Sequence, residues 1–229
     1  MRRIAALILP LLAAVAGPAC AREATAQIAY EAVTEEVIVE DAPSAERFIA
    51  VEVAPVPRGI AQFGPFRVLD GTRAAIVAET DSASPAQFAA MLRAHPGIVT
   101  LEMVEVPGTQ DDRANLRLGR MLHARGIATH VPDGGSVRSG GVELFLAGVH
   151  HTAAPTAEFA VHSWADEDGR QPGDYAADAP ENRAYLDYYR EMGMSAEHAA
   201  AFYAMTNSVP FEQARWLTAA DMGQWVSLN

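Results

Sequence analysis

Apolar positions along this chain fall alternately into a period of two and a period near three and a half, which predicts strands interleaved with helices. Phe48 to Ala54 (FIAVEVA) alternates as a strand, and Phe66 to Leu69 with Ala74 to Glu79 flank an Asp70-Gly71 hairpin signal. Ser84 to His95 carries a serine before a proline and apolar residues at helical spacing, and it stops at Pro96-Gly97, so a helix is expected there. Ile98 to Val106 is a continuous β-rich run, Asp111 to Arg125 an amphipathic helix with acidic residues at its start, and Ile127 to Val131 a short apolar strand. Val137 to Gly141 is expected as a turn, Val142 to Gly148 as an apolar helix and Phe159 to His162 as a strand. A polar loop from Ala165 to Ala179 then leads to helices over Glu181 to Met192, Ala196 to Met205 and Ala219 to Val226, with Ser195 and Thr218 as caps. Such alternation implies an α/β fold in which helices cover a largely parallel sheet.

Composition narrows the picture. The chain has 229 residues, 50% of them apolar, enough for one globular domain with appendages. A net charge of −12 and the lack of a basic stripe exclude a nucleic-acid surface. All 17 basic residues are arginine. Without lysine, serine–lysine dyads, Schiff bases and a phosphate-loop lysine are excluded.

Met1 to Ala21 has two arginines, an apolar run from Ile4 to Ala16 and small residues beyond it, the pattern of a secretory signal peptide. The expected organisation is a signal segment over 1–21, an acidic arm over 22–47 with an edge-strand pattern at Glu36 to Glu40, and one domain over 48–229. Processing before Cys20 would make that residue the lipid anchor of a lipoprotein, although Gly17 stands where such signals usually carry leucine. Cleavage after Ala21 or Ala26 would release a soluble exported, periplasmic protein. Cys20 is the single cysteine, so no internal disulfide can form.

The order of short motifs adds a further expectation. Pro107-Gly108 follows a strand, an amphipathic helix and a short strand lead to Ser139, Leu144 to Gly148 ends an apolar helix in Leu-Ala-Gly, and Val161-His162 follows the turn bearing Pro155. Trp216 to Asp221 gives an aromatic-leucine-threonine start to the last helix. From Phe66 to Leu228 this order resembles the Clp protease and crotonase superfamily, and in particular its exported Clp-protease-like bacterial members. The resemblance implies stacked β-β-α units with C-terminal helices, a serine hydrolase or peptidase activity without cofactor, a peptide or protein substrate, and the rings or trimers that family members form. The sequence carries no oligomer-specific motif of its own.

Carried onto matching positions, the resemblance makes Ser139 the nucleophile, His162 its base, and the Gly108 turn with Gly140 the source of oxyanion amides. Thr109 departs from the second turn glycine of the family. No carboxylate matches the third catalytic member, and Asn207 in the stretch Thr206 to Pro210 is the residue that could orient the imidazole.

Each residue also has a plainer reading. Ser139 starts a helix, where serine commonly caps, and Ser136 is a second candidate nucleophile. His162 could be an ordinary histidine packed after an apolar strand. Glu143 lies four residues beyond Ser139 on one helical face, where it is either a solvent-facing edge or, if buried, an acid or base with a raised pKa. His150 and His151 are adjacent on a strand and point to opposite faces, so no metal is expected. Asp111-Asp112 suits a helix N-terminus, Asp166 to Asp168 a solvated loop, and the aromatic cluster Tyr185, Tyr188, Tyr189, Phe202 and Tyr203 core packing or a cover for the cleft. Two alternatives to hydrolysis follow: a non-catalytic domain of the same kind that binds a peptide or envelope partner, and acyl-thioester chemistry through Glu143, which export away from coenzyme A disfavours.

Overall fold

The computed structural model describes residues 53–229. The expected signal segment, Cys20, the Glu36 to Glu40 pattern and most of Phe48 to Ala54 lie outside the described residues; Val53 and Ala54 themselves are not in a strand.

Strands β1 (Ala61–Phe63), β2 (Phe66–Val68), β3 (Arg73–Ile76), β4 (Thr100–Met103), β6 (Ala128–Val131) and β8 (His151–Ala153) form one sheet in the order β1-β2-β3-β4-β6-β8. Strands β10 (Arg215–Thr218), β9 (Glu158–Val161), β7 (Ser136–Arg138) and β5 (Glu105–Val106) form a second, in that order. The hairpin predicted at Asp70-Gly71 joins β2 to β3, with Val68 opposite Ala74, and Asp70 Oδ1 accepts from the amides of Thr72 and Arg73 to close the turn.

Helix α1 is Ser84–Ala94, α2 Asp112–Ala124, α3 Gly140–Leu146, α4 Pro180–Glu191, α5 Ala196–Thr206 and α6 Ala219–Met222. Along α2 the buried Ala114, Leu118 and Leu122 recur every fourth residue and face the core, while Asp111 accepts from the Ala114 amide as its cap. Phe145 and Phe159 meet at 5.0 Å in the centre of that core, both fully buried.

The two sheets are built by one repeated move. Strand β4 pairs in parallel with β6, and β6 with β8, in the first sheet. Their successors β5, β7 and β9 pair in parallel in the second. The chain crosses between sheets at Val104 and again between β6 and β7, so the run Ile98 to Val106 is two strands rather than the single one its composition suggests. This is the stack of β-β-α units, with C-terminal helices, that the resemblance implies.

Several local expectations are corrected. The expected turn at Val137 to Gly141 is instead the buried end of strand β7 at Val137 and Arg138 and the start of α3 at Gly140 and Gly141, joined by Ser139 alone. The last helix starts at Ala219 behind a Thr218–Asp221 capping box, as expected, but α6 ends at Met222 rather than Val226, and Trp216 and Leu217 before it belong to β10, antiparallel to β9. Strands β1 and β8 are too short and too weakly apolar to stand out from the sequence.

Candidate active site

Three loops leave the same ends of three neighbouring parallel strands. Register places Val106 beside Val137 and Arg138 beside Ala160, so continuing the ladder sets Gly108 beside Ser139 and brings His162 next to them. A parallel sheet gathers residues over 50 positions apart in this way without local sequence contact.

Ser139 occupies the N-cap position of α3, yet its side chain makes no capping hydrogen bond, and its hydroxyl bonds to no other described residue. Its backbone lies at φ 50° and ψ −129°, the one non-glycine residue with positive φ among the described residues. Such a conformation costs on the order of 1–3 kcal/mol and is found where a side chain must be held in a particular direction. The capping explanation for this serine therefore fails. A Cβ added at Gly108 would stand 3.1 Å from Ser139 Cβ and 3.4 Å from its Oγ, so only glycine lets that turn close over the hydroxyl; Gly108 is itself at φ +143°.

The turn is fixed from behind. Thr80 donates its amide to the Gly108 carbonyl at 3.1 Å, and its hydroxyl lies 3.3 Å from the same oxygen. In a trans peptide the carbonyl and the following N–H point in opposite directions, so the Thr109 amide is directed away from Thr80, toward the edge where β7 ends in Ser139. Thr109 thus presents its amide without needing to be glycine, and its side chain is tied to the Thr80 and Asp111 carbonyls. The Gly140 amide, first in α3, has no acceptor within the helix. Buried Asn115 joins the two loops, accepting from Thr80 Oγ1 at 3.0 Å and donating to the Gly140 carbonyl at 2.7 Å.

His162 follows β9 and packs edge-on against Phe211. Its Nδ1 lies 2.8 Å from the Ser163 carbonyl. A carbonyl only accepts, so Nδ1 carries the proton in the neutral ring and Nε2 keeps its lone pair. Burial lowers the pKa of His162 below its ordinary value, against smaller opposing effects of the Ser163 carbonyl and of Asp112 and Glu212, so the ring is neutral at neutral pH. No hydrogen bond joins Ser139 to His162, and none joins Asn207 to His162. Asn207 Nδ2 donates to the Tyr203 carbonyl at 2.7 Å, and Asn207 supports the ring only at one remove, its carbonyl accepting from Ser163 Oγ at 3.4 Å.

Ser139, Gly140, Thr109, His162, Asn207 and Glu143 line one cavity of about 290 Å³. Glu143 is not a solvent edge: it is 7% exposed, Tyr189 donates to its Oε1 at 2.7 Å, and Tyr188 donates to its backbone carbonyl at 2.6 Å. Burial, with Asp112 nearby, raises its pKa to about 7. Asp112, read from sequence as a helix-end charge, also lines the cavity, and burial raises its pKa despite a hydrogen bond with Tyr185.

Other candidates lie elsewhere. Ser136 is buried in β7 and accepts from Arg138, which pairs with Glu105 at 2.5 Å. His151 bonds the Leu146 carbonyl, and no group of three metal-ligating side chains occurs among the described residues. Asp166 and Asp168 are held in their loop by Arg170. Among the described residues no helix is long and apolar enough to cross a membrane. Sequence reasoning missed Asn115, Asp112 and the Ser163 carbonyl; only the first two carried any signal, as polar residues on the core side and first turn of α2.

No protein-family model matches the chain, and no curated protein matches it. Among solved structures it is similar to the 1510-N membrane protease specific for a stomatin homolog from Pyrococcus horikoshii, at 13% identity over 69% of this chain and 70% of that one, with a TM-score of 0.45. It is also similar to a ClpP1 mutant from Listeria monocytogenes, at 17% identity over 68% of this chain and 88% of that one, with a TM-score of 0.46.

Proposed function

We propose that this protein is a serine hydrolase acting on peptides, with Ser139 as nucleophile and His162 as base. The observation that carries the reading is the uncapped Ser139 hydroxyl, held at positive φ against Gly108 in the cavity that His162 lines. Ser139 Oγ attacks the acyl carbon while Nε2 of His162 takes its proton, and the amides of Thr109 and Gly140 receive the developing oxyanion. His162 then returns the proton to the leaving amine, and water repeats the sequence to release the acid. The oxyanion donor assigned at Gly108 thereby moves one residue on, to the amide of the same turn's next peptide. Orientation of His162 falls to the Ser163 carbonyl rather than to the Asn207 side chain. The Ser139–His162 hydrogen bond forms as substrate closes the cavity, since such contacts commonly tighten only in the substrate complex.

Hydrolysis of a peptide library followed by mass spectrometry tests the reading. The wild type cleaves, and Ser139→Ala and His162→Gln each lose roughly 10⁴-fold or more. Equal residual cleavage by Ser139→Ala overturns it. Binding of peptides without cleavage by the wild type supports instead a non-catalytic binding domain, the reading favoured by the missing Ser139–His162 bond. We further propose export, on the pattern of Met1 to Ala21; metabolic labelling with a radioactive fatty acid distinguishes a lipid anchor at Cys20 from simple cleavage.

A further inference from the structure

The cavity beside Ser139 has a second property that hydrolysis alone does not explain. It is walled by carboxyl groups and aromatic rings and has no arginine in its lining. Buried Glu143 and half-buried Asp112 are in its lining, and neither forms an ion pair with a cation among the described residues; Asp166 and Glu167 stand in its lining as well, Asp166 already paired with Arg170. Between them are Tyr185, Tyr189, Tyr203 and Trp164. Trp164 stacks on Tyr185 with 6° between the ring planes and 6.0 Å between centroids, and it donates to the Tyr203 hydroxyl at 2.7 Å, which in turn donates to Asn182. The aromatic wall is therefore fixed in place by its own contacts rather than by a ligand.

Rings present electron-rich faces to a cation, and carboxylates wholly or partly withdrawn from water without a cationic partner are costly to keep charged. One occupant satisfies both walls, a flat or compact organic cation. A volume of about 290 Å³ is at the lower end for a ligand pocket and suits one side chain rather than a whole folded partner. A net charge of −12 draws cationic peptides toward the molecule.

We propose that this cavity binds the cationic side chain of an arginine or lysine residue in the substrate, placing the adjoining acyl group at Ser139. The proposal rests on the hydrolase reading for the acyl group but not for the binding of the cation. The guanidinium or ammonium lies against Tyr185 and Trp164, and Asp112 and Glu143 accept its hydrogen bonds. No bond forms or breaks in this step.

The test is a titration of the full chain with arginine amide, citrulline amide and glutamate amide, followed by intrinsic fluorescence, for which Trp164 is a reporter within the cavity. Arginine amide binds roughly tenfold or more tighter than its neutral isostere citrulline amide, and glutamate amide binds weakest. Asp112→Asn removes the preference for arginine, and so does Glu143→Gln, with circular dichroism confirming that each variant is folded. Equal affinity for the three amides overturns the proposal, as does a preference that survives both substitutions. Selective binding by a protein that never cleaves peptides sinks the hydrolase reading and leaves this one standing; cleavage without selective binding does the reverse.

Discussion

Ser139 and Glu143 are both held in states that the folded protein must sustain at a cost. Replacing Ser139 by glycine removes the penalty of positive φ, so Ser139→Gly gains about 1 kcal/mol in chemical denaturation while Ser139→Ala does not. Glu143, with a pKa raised from 4.5 to about 7, holds its proton in the folded state over a range where the unfolded chain has lost it. The folded state then binds more protons than the unfolded one, so stability falls as pH rises from about 4.5 to about 7 and is flat above. Glu143→Gln keeps an acceptor for Tyr189 and removes that slope, gaining on the order of 3 kcal/mol at pH 8. A pH series of denaturation midpoints for the two proteins measures it, and parallel curves contradict the assignment. His162 moves in the opposite direction: its lowered pKa keeps the base unprotonated through neutrality, so the acid limb of the activity profile has its midpoint below 6.5. A limb centred above 6.5 contradicts a buried, neutral base.

Elements whose signal is local were readable in the chain, and those whose signal is pairing were not. Helices α1, α2, α4 and α5 follow the apolar spacing to within a residue or two, α2 and α5 because Asp111 and Ser195 each bond an amide a few positions away, and α1 and α4 with a proline in the first turn. The division of Ile98 to Val106 into β4 and β5 has no local marker, since every residue of that run suits a strand; only the existence of two sheets splits it at Val104. Strand β10 exists through its pairing with β9, and its residues alone suggest the start of a helix. The site shows the same division. Motif order singled out Ser139, His162 and the Gly108 turn, which the second sheet brings to one edge, whereas the Thr80–Asn115–Gly140 chain of bonds depends on three loops meeting in space. Packing between elements gives a further prediction. A Cβ at Gly119 of α2 would lie 1.9 Å from the hydroxyl of fully buried Tyr188 on α4. Gly119→Ala, favourable for an isolated helix, therefore destabilises the protein by roughly 1–3 kcal/mol in urea denaturation, and a stabilised variant contradicts that packing.

Taken whole, the molecule uses one sheet as a platform and the other to line up chemistry. The strands β5, β7 and β9 lead into the Gly108 turn, Ser139 and His162, to which the proposed mechanism gives the oxyanion amide, the nucleophile and the base, while α4 and α5 bring the tyrosines and Asn207 to the same cavity. Lysine is absent throughout, and His162, neutral at neutral pH with Nε2 unprotonated, is the base that the proposed mechanism gives to Ser139. Activation of Ser139 by His162 is thus the claim on which the functional account depends. Its most direct measurement is labelling of the folded protein with a fluorophosphonate, followed by peptide mapping of the adduct. The account predicts an adduct on Ser139 alone, formed by the wild type, lost in Ser139→Ala and slowed roughly 10³-fold or more in His162→Gln. An adduct on Ser136 or another serine, or labelling of Ser139 at the same rate without His162, contradicts it.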